Sequence, residues 1–235
     1  KDDVYVSSAH SSQKFGPSIK EHVLNELGVQ FQGSDTSYNW MPWAYNQFDM
    51  SALRVTLGQL SDLSLKQLAS VELVSRWLTM RGSNVLRGRW DGEYSDGKEP
   101  WTWSTTTEIT AQYEKTGRTV RYGQCWVFAG LLTTFMRTLG VPSTSMSNFN
   151  SAHERRRSNG KYKLECDTYQ FEDDRGRVQE DESKRTCSVW NFHVWVDAWF
   201  KRPGQESLPH YWQAIDATPQ ESSSMGPQET PFNQD

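Results

Sequence analysis

The chain of 235 residues has a formal net charge of −4 and a pI near 5.8, and it is long enough for one large domain with its own core. Nucleic acid and anionic membranes attract basic surfaces, so neither is expected as a partner. No segment approaches the roughly 20 apolar residues of a membrane span, and no signal-peptide core is visible near the first residue, so we expect a soluble chain.

The N-terminal region predicts little regular structure. Residues 1–36 are polar and interrupted by serine, glycine and proline, and we interpret them as a lead-in that contains one helix. That helix is predicted in the segment SIKEHVLNELG, where Ser18 can cap its start and Gly28 can end it.

Two further helical regions follow. Residues 50–80 have helical apolar spacing, with a break at Gly58–Ser61 and a new N-cap at Asp62 or Ser64. After a loop, the segment STTTEITAQYEKTG at 104–117 predicts a helix with hydroxyl residues at its capping end and a glycine that stops it.

A cysteine begins the most regular helix. From Cys125 in YGQCWVFAG, large apolar residues recur at helical spacing until Gly140 and Pro142 end the pattern. The free N–H groups and the positive dipole end of a helix N-terminus favour a thiolate over a thiol. Cys125 is therefore either a nucleophile at the tip of a helix or a small core residue, since free cysteines are among the most often buried residues.

The rest of the chain predicts antiparallel strands. Residues 141–150 have the pattern of a strand that leads into the polar loop SAHERRRSNG, and YQFEDDRGRV predicts a hairpin turn at Asp174–Gly176. The segments NFHVWVDAWF at 191–200 and YWQAID at 211–216 alternate with period two. The turn residues between these two segments predict a second hairpin.

The second hairpin brings a histidine and an acid together. If its turn is centred near residues 204–206, Asp216 lies opposite His193 or one diagonal away, on the same face. A carboxylate there would hold the imidazole in one tautomer and stabilise imidazolium, beside a nucleophile. The competing acid Asp197 lies about 13 Å along the strand, too far to orient the ring. The alternative for His193 is a core histidine with satisfied hydrogen bonds.

The motifs YGQCWVFAG, NSAH, WNFHVW and WQAIDATPQE, in this order, resemble the catalytic core of the eukaryotic tissue-type transglutaminases. The likeness extends to PWAYNQFD and LRGRWDGEYSDG. It implies an α+β, papain-like core at 21–221, with the nucleophile at a helix N-terminus packed against an antiparallel sheet. Residues 1–20 would be a polar lead-in, and the composition of 222–235 indicates a disordered tail.

The resemblance also implies which residues act. It places a Cys-His-Asp triad on Cys125, His193 and Asp216, the residues to which the spacing had already pointed. It assigns oxyanion binding to the Trp90 indole N–H together with the Cys125 backbone N–H. By the same likeness, Trp190 is a wall of the channel through which a lysine side chain enters. Without the resemblance, Trp90 would be interpreted as an ordinary tryptophan that anchors a loop.

The implied activity is protein-glutamine γ-glutamyl transfer through a cysteine thioester. Its substrates would be glutamine- and lysine-bearing proteins and small primary amines. Two alternatives use the same motifs: a papain-type cysteine amidase or protease, and a non-catalytic protein that has kept the fold. Release of ammonia with incorporation of an amine distinguishes the transferase from the hydrolase, and the complete triad argues against the non-catalytic protein.

The resemblance implies calcium as a cofactor, but the side chains conflict with it. Calcium needs about six to eight oxygen ligands, several of them carboxylates. The segment LTMRGSN before Val85 contains no carboxylate, and after NSAH only Glu154 remains, followed by three arginines. We therefore expect weak calcium binding, with at most one metal site, in the 150–187 region and centred on Glu154.

Cysteine usage bears on the compartment. Cys125, Cys166 and Cys187 are too few and too scattered for a disulfide framework, and their odd number leaves at least one free thiol. With no visible signal peptide, we expect a cytoplasmic protein, or an extracellular one without such a signal, and we prefer the cytoplasm.

Overall fold

A computed structural model describes most of the chain up to His153 and the C-terminal hairpin. The described residues are 6, 11, 16–153, 155–156, 162–163, 170–172, 178–180, 188–202, 204 and 211–219. Residues 222–235, predicted as a tail, and Glu154 lie outside them. The proposed domain boundaries stay predictions.

The helices lie mainly in the first 140 residues. They are a π-helical turn (Lys20–Leu24), α1 (Met50–Gln59), α2 (Leu65–Leu68), α3 (Val71–Val85), a 3₁₀ turn (Pro100–Thr102), α4 (Thr106–Thr116) and α5 (Cys125–Thr138). The predicted break after Gly58 is confirmed, and Ser64 caps α2 in a reciprocal capping box with Gln67. Gly117 ends α4 with a left-handed φ of 61°. Among the described residues, none of the helices combines the length and apolar composition needed to span a bilayer.

The strands form small sheets around these helices. They are β1 (Leu27–Gly33), β2 (Tyr38–Ala44), β3 (Leu86–Gly88), β4 (Val120–Gly123), β5 (Ser143–His153), β6 (Arg155–Arg156), β7 (Tyr162–Lys163), β8 (Gln170–Glu172), β9 (Val178–Glu180), β10 (Ser188–Trp199) and β11 (Trp212–Ile215). The order β11-β10-β5 gives an antiparallel sheet, and β1 and β2 form an antiparallel hairpin. Strands β3 and β4 are parallel, whereas β6 pairs with β7 and β8 with β9 in antiparallel fashion.

Helix α5 lies in the centre of the hydrophobic core. Every residue from Cys125 to Arg137 is buried, and the helix ends at Thr138, just before Gly140 takes a φ of 78°. Residues of β10 belong to the same buried cluster: Val194, Val196 and Ala198 are each 0% exposed. The predicted α+β arrangement, a helix that begins at the cysteine and packs against an antiparallel sheet, is confirmed.

The predicted N-terminal helix is wrong in its extent. Only Lys20–Leu24 are helical, and the Asn25 side chain then accepts a hydrogen bond from the Leu27 backbone N–H at 3.0 Å as the chain turns into β1. Gly28 lies inside β1, where a Cβ would come within 2.5 Å of the Tyr45 hydroxyl oxygen. This glycine therefore permits close packing within a strand and does not end a helix.

Strand β5 extends farther than predicted. It runs through Ser151–His153, in the segment that was predicted as polar loop, because these residues pair with Ser188–Trp190 of β10. Pairing with a neighbouring strand thus overrides the polar local composition. The predicted turn at Asp174–Gly176 lies outside the described residues, while the flanking strands β8 and β9 pair in register.

We expect Gly130→Ala to destabilise the fold. A Cβ at this position of α5 would lie 2.3 Å from Cε2 of Trp43, which is 1% exposed and has no room to move. The free energy of unfolding in urea should fall by about 1–3 kcal/mol, the usual cost of overpacking a core. The matched control is Gly58→Ala on the exposed side of α1, where the new methyl group meets nothing within 4 Å. That change should raise stability by about 0.5–1 kcal/mol, and a Gly130→Ala protein as stable as the control would contradict the packing.

Candidate active site

Cys125 is the first residue of α5. Gln124 before it has an extended backbone, with φ −128° and ψ −175°, so the helix begins at the cysteine itself. The N–H groups of a first helical turn have no partner one turn earlier and carry the positive end of the dipole. Cys125 is also only 3% exposed. The two alternatives that the sequence left open, a helix-tip position and burial in the core, therefore occur together.

His193 and Asp216 form a close pair. Their Nε2 and Oδ2 atoms are 2.6 Å apart. His193 lies on β10, and Asp216 follows Ile215, the last residue of β11, which pairs with Val196. In this register Asp216 falls one diagonal from His193 on the same face, as the hairpin pattern predicted. The other carboxylate oxygen of Asp216 accepts a hydrogen bond from the Thr218 backbone N–H at 2.9 Å, which fixes the carboxylate.

The competing acid Asp197 has a different position. It pairs across the sheet with Ala214, and its Oδ1 accepts a hydrogen bond from the Trp195 indole N–H at 3.1 Å. The carboxylate bonded to the His193 ring is therefore that of Asp216, in agreement with the sequence-based choice between the two acids.

The environment of His193 stabilises its protonated form. Burial alone would lower the pKa of His193, but the hydrogen bond to Asp216 and the nearby charges of Asp216 and Cys125 outweigh burial and raise that pKa from 6.5 to about 10. Because Nε2 binds Asp216, the buried Nδ1 is the ring nitrogen that remains for Cys125. Within the described residues, Nδ1 has no partner that meets standard hydrogen-bond geometry.

Two consequences follow from this raised pKa. An imidazolium stands beside Cys125 near neutral pH, and its proton is available for general acid catalysis. The folded-state pKa lies above the ordinary value of 6.5, so the imidazolium stabilises the fold below that pH. This contribution to stability is lost as the pH rises toward 10.

Two tryptophans lie beside this pair. The ring centroids of Trp90 and Trp190 are 6.5 Å apart with the planes tilted by 45°, and both side chains are half-buried. The Trp190 ring contacts His193 edge to face, at 5.4 Å between centroids and 89° between planes. The structure thus brings Trp90, Trp190 and His193 together, whereas the roles assigned to the two tryptophans stay predictions.

The position of Trp90 depends on a parallel strand pair. Gly88 on β3 pairs with Gly123 on β4, two residues before Cys125. A Cβ on Gly88 would lie 2.6 Å from Cζ3 of Trp90, so the glycine lets the indole ring approach the backbone closely. The pair therefore holds the segment with Trp90 next to the start of α5.

Sequence reasoning missed Gln124 and Tyr94. The Gln124 Nε2 group donates to the Arg89 carbonyl oxygen at 3.1 Å and to the Tyr94 hydroxyl oxygen at 3.0 Å. The Tyr94 hydroxyl donates to the same Arg89 carbonyl at 3.3 Å. A signal was present in both cases, because Gln124 directly precedes the candidate nucleophile and Tyr94 lies in the motif that contains Trp90.

The predicted calcium ligand Glu154 lies outside the described residues. The segment before Val85, where the resemblance implied a calcium-binding loop, lies in the last two turns of α3 (Val71–Val85), where the Gly82 carbonyl accepts a hydrogen bond from the Leu86 N–H and the Asn84 carbonyl accepts one from the Thr119 hydroxyl at 2.8 Å. In the part of the chain that the structure describes, no three His, Cys, Asp or Glu side chains cluster as metal ligands would. Calcium binding by this chain stays a prediction.

The α+β fold, with a cysteine at a helix N-terminus and a histidine–aspartate pair on an adjacent sheet, defines a papain-like cysteine-enzyme core. A family model described as the transglutaminase-like superfamily matches residues 89–217, which include Trp90, Cys125, His193 and Asp216. The chain belongs to this family.

Named relatives agree with this family. The chain is 40% identical over 215 residues to protein-glutamine gamma-glutamyltransferase 4 of Homo sapiens, covering 87% of this chain and 30% of that protein. It is 39% identical over 216 residues to protein-glutamine gamma-glutamyltransferase K of Canis lupus familiaris, covering 87% of this chain and 25% of that protein. The crystal structure of red sea bream transglutaminase matches with a TM-score of 0.72 and 32% identity, covering 95% of this chain and 34% of that one. The chain thus spans about a third or less of these relatives.

We expect Asp216→Asn to reduce turnover by about 10³- to 10⁴-fold with a modest loss of stability, because an amide can fill the site but cannot balance the imidazolium charge. The pKa of His193 should also fall from about 10 toward 6.5, since the bond to Asp216 is the first of the causes that raise it. The high-pH limb of the kcat/KM profile reports this pKa, because loss of the proton removes the general acid. The limb should move to lower pH in the variant.

The matched control for this prediction is Asp197→Asn. Its side-chain oxygen can still accept the hydrogen bond from Trp195, so activity should stay within about twofold of the unchanged protein. A silent Asp216→Asn change together with a damaging Asp197→Asn change would show that the wrong acid has been assigned.

Proposed function

We propose that this protein is a protein-glutamine γ-glutamyltransferase, which forms isopeptide bonds between peptidyl glutamine and lysine or other primary amines. The observation that carries the proposal is the 2.6 Å pairing of His193 with Asp216 beside Cys125 at the start of α5. This set supplies a nucleophile, a proton carrier and an orienting carboxylate. The relatives named as protein-glutamine gamma-glutamyltransferases support the choice of reaction.

In the first step, the Cys125 thiolate attacks the carboxamide carbon of a peptidyl glutamine. The new C–S bond converts the carbonyl oxygen to an oxyanion, for which the Cys125 backbone N–H and the Trp90 indole N–H are the proposed donors. The His193 imidazolium then gives its proton to the amide nitrogen, the C–N bond breaks, and ammonia leaves. A thioester on Cys125 and a neutral imidazole remain.

In the second step, a primary amine attacks the thioester carbon. His193, now neutral, takes a proton from the attacking nitrogen as the C–N bond forms. The C–S bond breaks and restores the thiolate, and Asp216 stabilises the imidazolium that results. Each cycle therefore exchanges ammonia for an amine and returns Cys125 and His193 to their initial protonation states.

Water competes with the amine for the thioester, and its attack would convert glutamine to glutamate. The rings of Trp90 and Trp190 favour the amine, because their apolar faces disfavour water and can pack against the alkyl chain of a lysine. The proposed acyl donors and acceptors are accordingly proteins that bear accessible glutamine and lysine side chains, with small primary amines as alternative acceptors.

The proposed cofactor is calcium. We propose at most one weak calcium site, in the 150–187 region and centred on Glu154. The support is the absence of carboxylates in LTMRGSN and the three arginines that follow Glu154 in the sequence, since these would repel a divalent cation.

We expect Cys125→Ala to abolish incorporation of a fluorescent amine into casein, because no thioester can form. Thermal unfolding should be nearly unchanged, since the loss of one buried sulfur removes little packing. The matched controls are Cys166→Ala and Cys187→Ala, which should keep full activity. Residual incorporation above a few per cent in the Cys125→Ala protein would contradict the assignment, and peptide cleavage without amine incorporation would indicate a hydrolase.

We expect calorimetric titration with calcium to detect no more than one site, with a Kd of about 10⁻⁴ M or weaker. Glu154→Gln should remove any such signal without altering thermal unfolding in the absence of calcium. Two or more tight sites would contradict this expectation and would mean that other residues coordinate the ion.

A further inference from the structure

We propose that Gln124 and Tyr94 are positioning residues that hold the Trp90 indole and the Cys125 backbone N–H in place for oxyanion binding. The inference deepens the proposed function and rests on it. Each proposed oxyanion donor lies on a different segment of the chain, one with Trp90 and one with Cys125. The inference concerns the hydrogen bonds that join these two segments.

The two segments are joined by hydrogen bonds at the backbone of Arg89, the residue before Trp90. Its N–H donates to the Gly123 carbonyl oxygen at 3.1 Å. Its carbonyl oxygen accepts hydrogen bonds from Gln124 Nε2 at 3.1 Å and from the Tyr94 hydroxyl at 3.3 Å. Gly123 and Gln124 are the two residues immediately before Cys125. Both polar groups of this backbone are therefore bound to the chain that leads into the nucleophile.

Gln124 and Tyr94 also bind each other, and each hydrogen of the Gln124 amide and of the Tyr94 hydroxyl has an acceptor. One hydrogen of the Gln124 amide goes to the Arg89 carbonyl and the other to the Tyr94 hydroxyl oxygen at 3.0 Å, while the Tyr94 proton goes to the Arg89 carbonyl. Burial raises the pKa of Tyr94, so its hydroxyl keeps this proton. Arg89 thus accepts two bonds from two mutually bonded side chains.

Tyr94 has little freedom to move. It is 8% exposed, and its ring packs against Trp101 and Tyr122 with centroid separations of 5.4 Å and 5.9 Å. Since the ring is fixed by these neighbours, the hydroxyl is a fixed anchor for the Arg89 carbonyl.

The side chain of Arg89 fixes the other side of Trp90. Its Nε donates to both oxygens of Asp91, at 2.8 Å and 3.0 Å, and its Nη1 donates to the Tyr122 hydroxyl at 2.8 Å. Trp90 therefore lies between two residues that are joined to each other. The Arg89–Asp91 ion pair is partly exposed and adds little stability, but together with the bond to Tyr122 it limits the conformations open to the tryptophan.

The proposed role has a signature that general damage to the fold lacks. Acylation of Cys125 by a glutamine or an ester passes through an oxyanion, and its rate depends on the geometry of the donors. Alkylation of the same sulfur by iodoacetamide displaces iodide without forming an oxyanion, and its rate depends on the thiolate and on His193. A loss of oxyanion geometry should therefore slow acylation and leave alkylation unchanged.

The test compares Gln124→Met and Tyr94→Phe with the unchanged protein, using a glutamine peptide and p-nitrophenyl acetate as acyl donors. We expect kcat for acylation to fall by about 10- to 100-fold for Gln124→Met and by roughly 3- to 10-fold for Tyr94→Phe, with KM for the peptide nearly constant. The iodoacetamide rate and its pH profile should stay within about twofold, because neither variant removes a group that binds His193.

Two controls sharpen the comparison. Tyr113→Phe makes the same change on α4, where the hydroxyl accepts a hydrogen bond from Gln59 at 3.3 Å, and it should not alter acylation. In a Trp90→Phe background, which lacks the indole N–H, Gln124→Met should have a smaller effect than in the unchanged protein, because the part that acts through the indole is already lost.

The proposal is overturned if acylation is unchanged in both variants, if alkylation falls in parallel with acylation, or if the Trp90→Phe and Gln124→Met effects multiply as independent changes. Assays of the unchanged protein distinguish failure of this proposal from failure of the proposed function. If it neither incorporates amines nor is acylated by the ester, the transferase proposal fails and takes the positioning role with it. If it is active, the variants test the positioning role alone.

Discussion

The hydrogen bond between His193 and Asp216 is the interaction on which the candidate site depends. It requires the β10–β11 register that places Asp216 one diagonal from His193, with the carboxylate held by the Thr218 N–H. It also requires β10 to pack on α5, because only then does the free ring nitrogen lie beside Cys125. Buried Val194, Val196 and Ala198 on β10 maintain that packing. These core residues have no chemical role themselves, but their packing is needed to bring His193 and Asp216 next to Cys125.

In the proposed reaction, the proton affinity of His193 changes between the two steps, while its bond to Asp216 is kept. Before acylation, both Asp216 and the sulfur of Cys125 raise the pKa of His193, so the ring is protonated and can expel ammonia. A thioester carries no negative charge, and the contribution of Cys125 to this pKa is then absent. In the proposed second step, the lower pKa lets more of His193 stay neutral, which is the form that can take a proton from the incoming amine.

The sequence predicted those parts of the site that follow from local pattern. The apolar spacing after Cys125 located the start of α5, and the period-two pattern of the hairpin selected Asp216 over Asp197. The β1 strand and the full length of β5 were missed, because strand pairing with distant residues decides them. Gln124 and Tyr94 were missed for a related reason, since their partner is a backbone carbonyl that no side-chain pattern reveals. The positions of Trp90 and Trp190 were predicted only through family resemblance.

The protonation state of His193 tests the central claim most directly. An NMR titration with isotope-labelled histidine would follow its imidazole through the neutral and alkaline range, with His193→Gln used to assign the signal. The arrangement described here predicts that His193 is imidazolium at neutral pH and loses its proton near pH 10. An ordinary titration near pH 6.5 would contradict it, because burial would then outweigh the bond to Asp216 and the influence of Cys125.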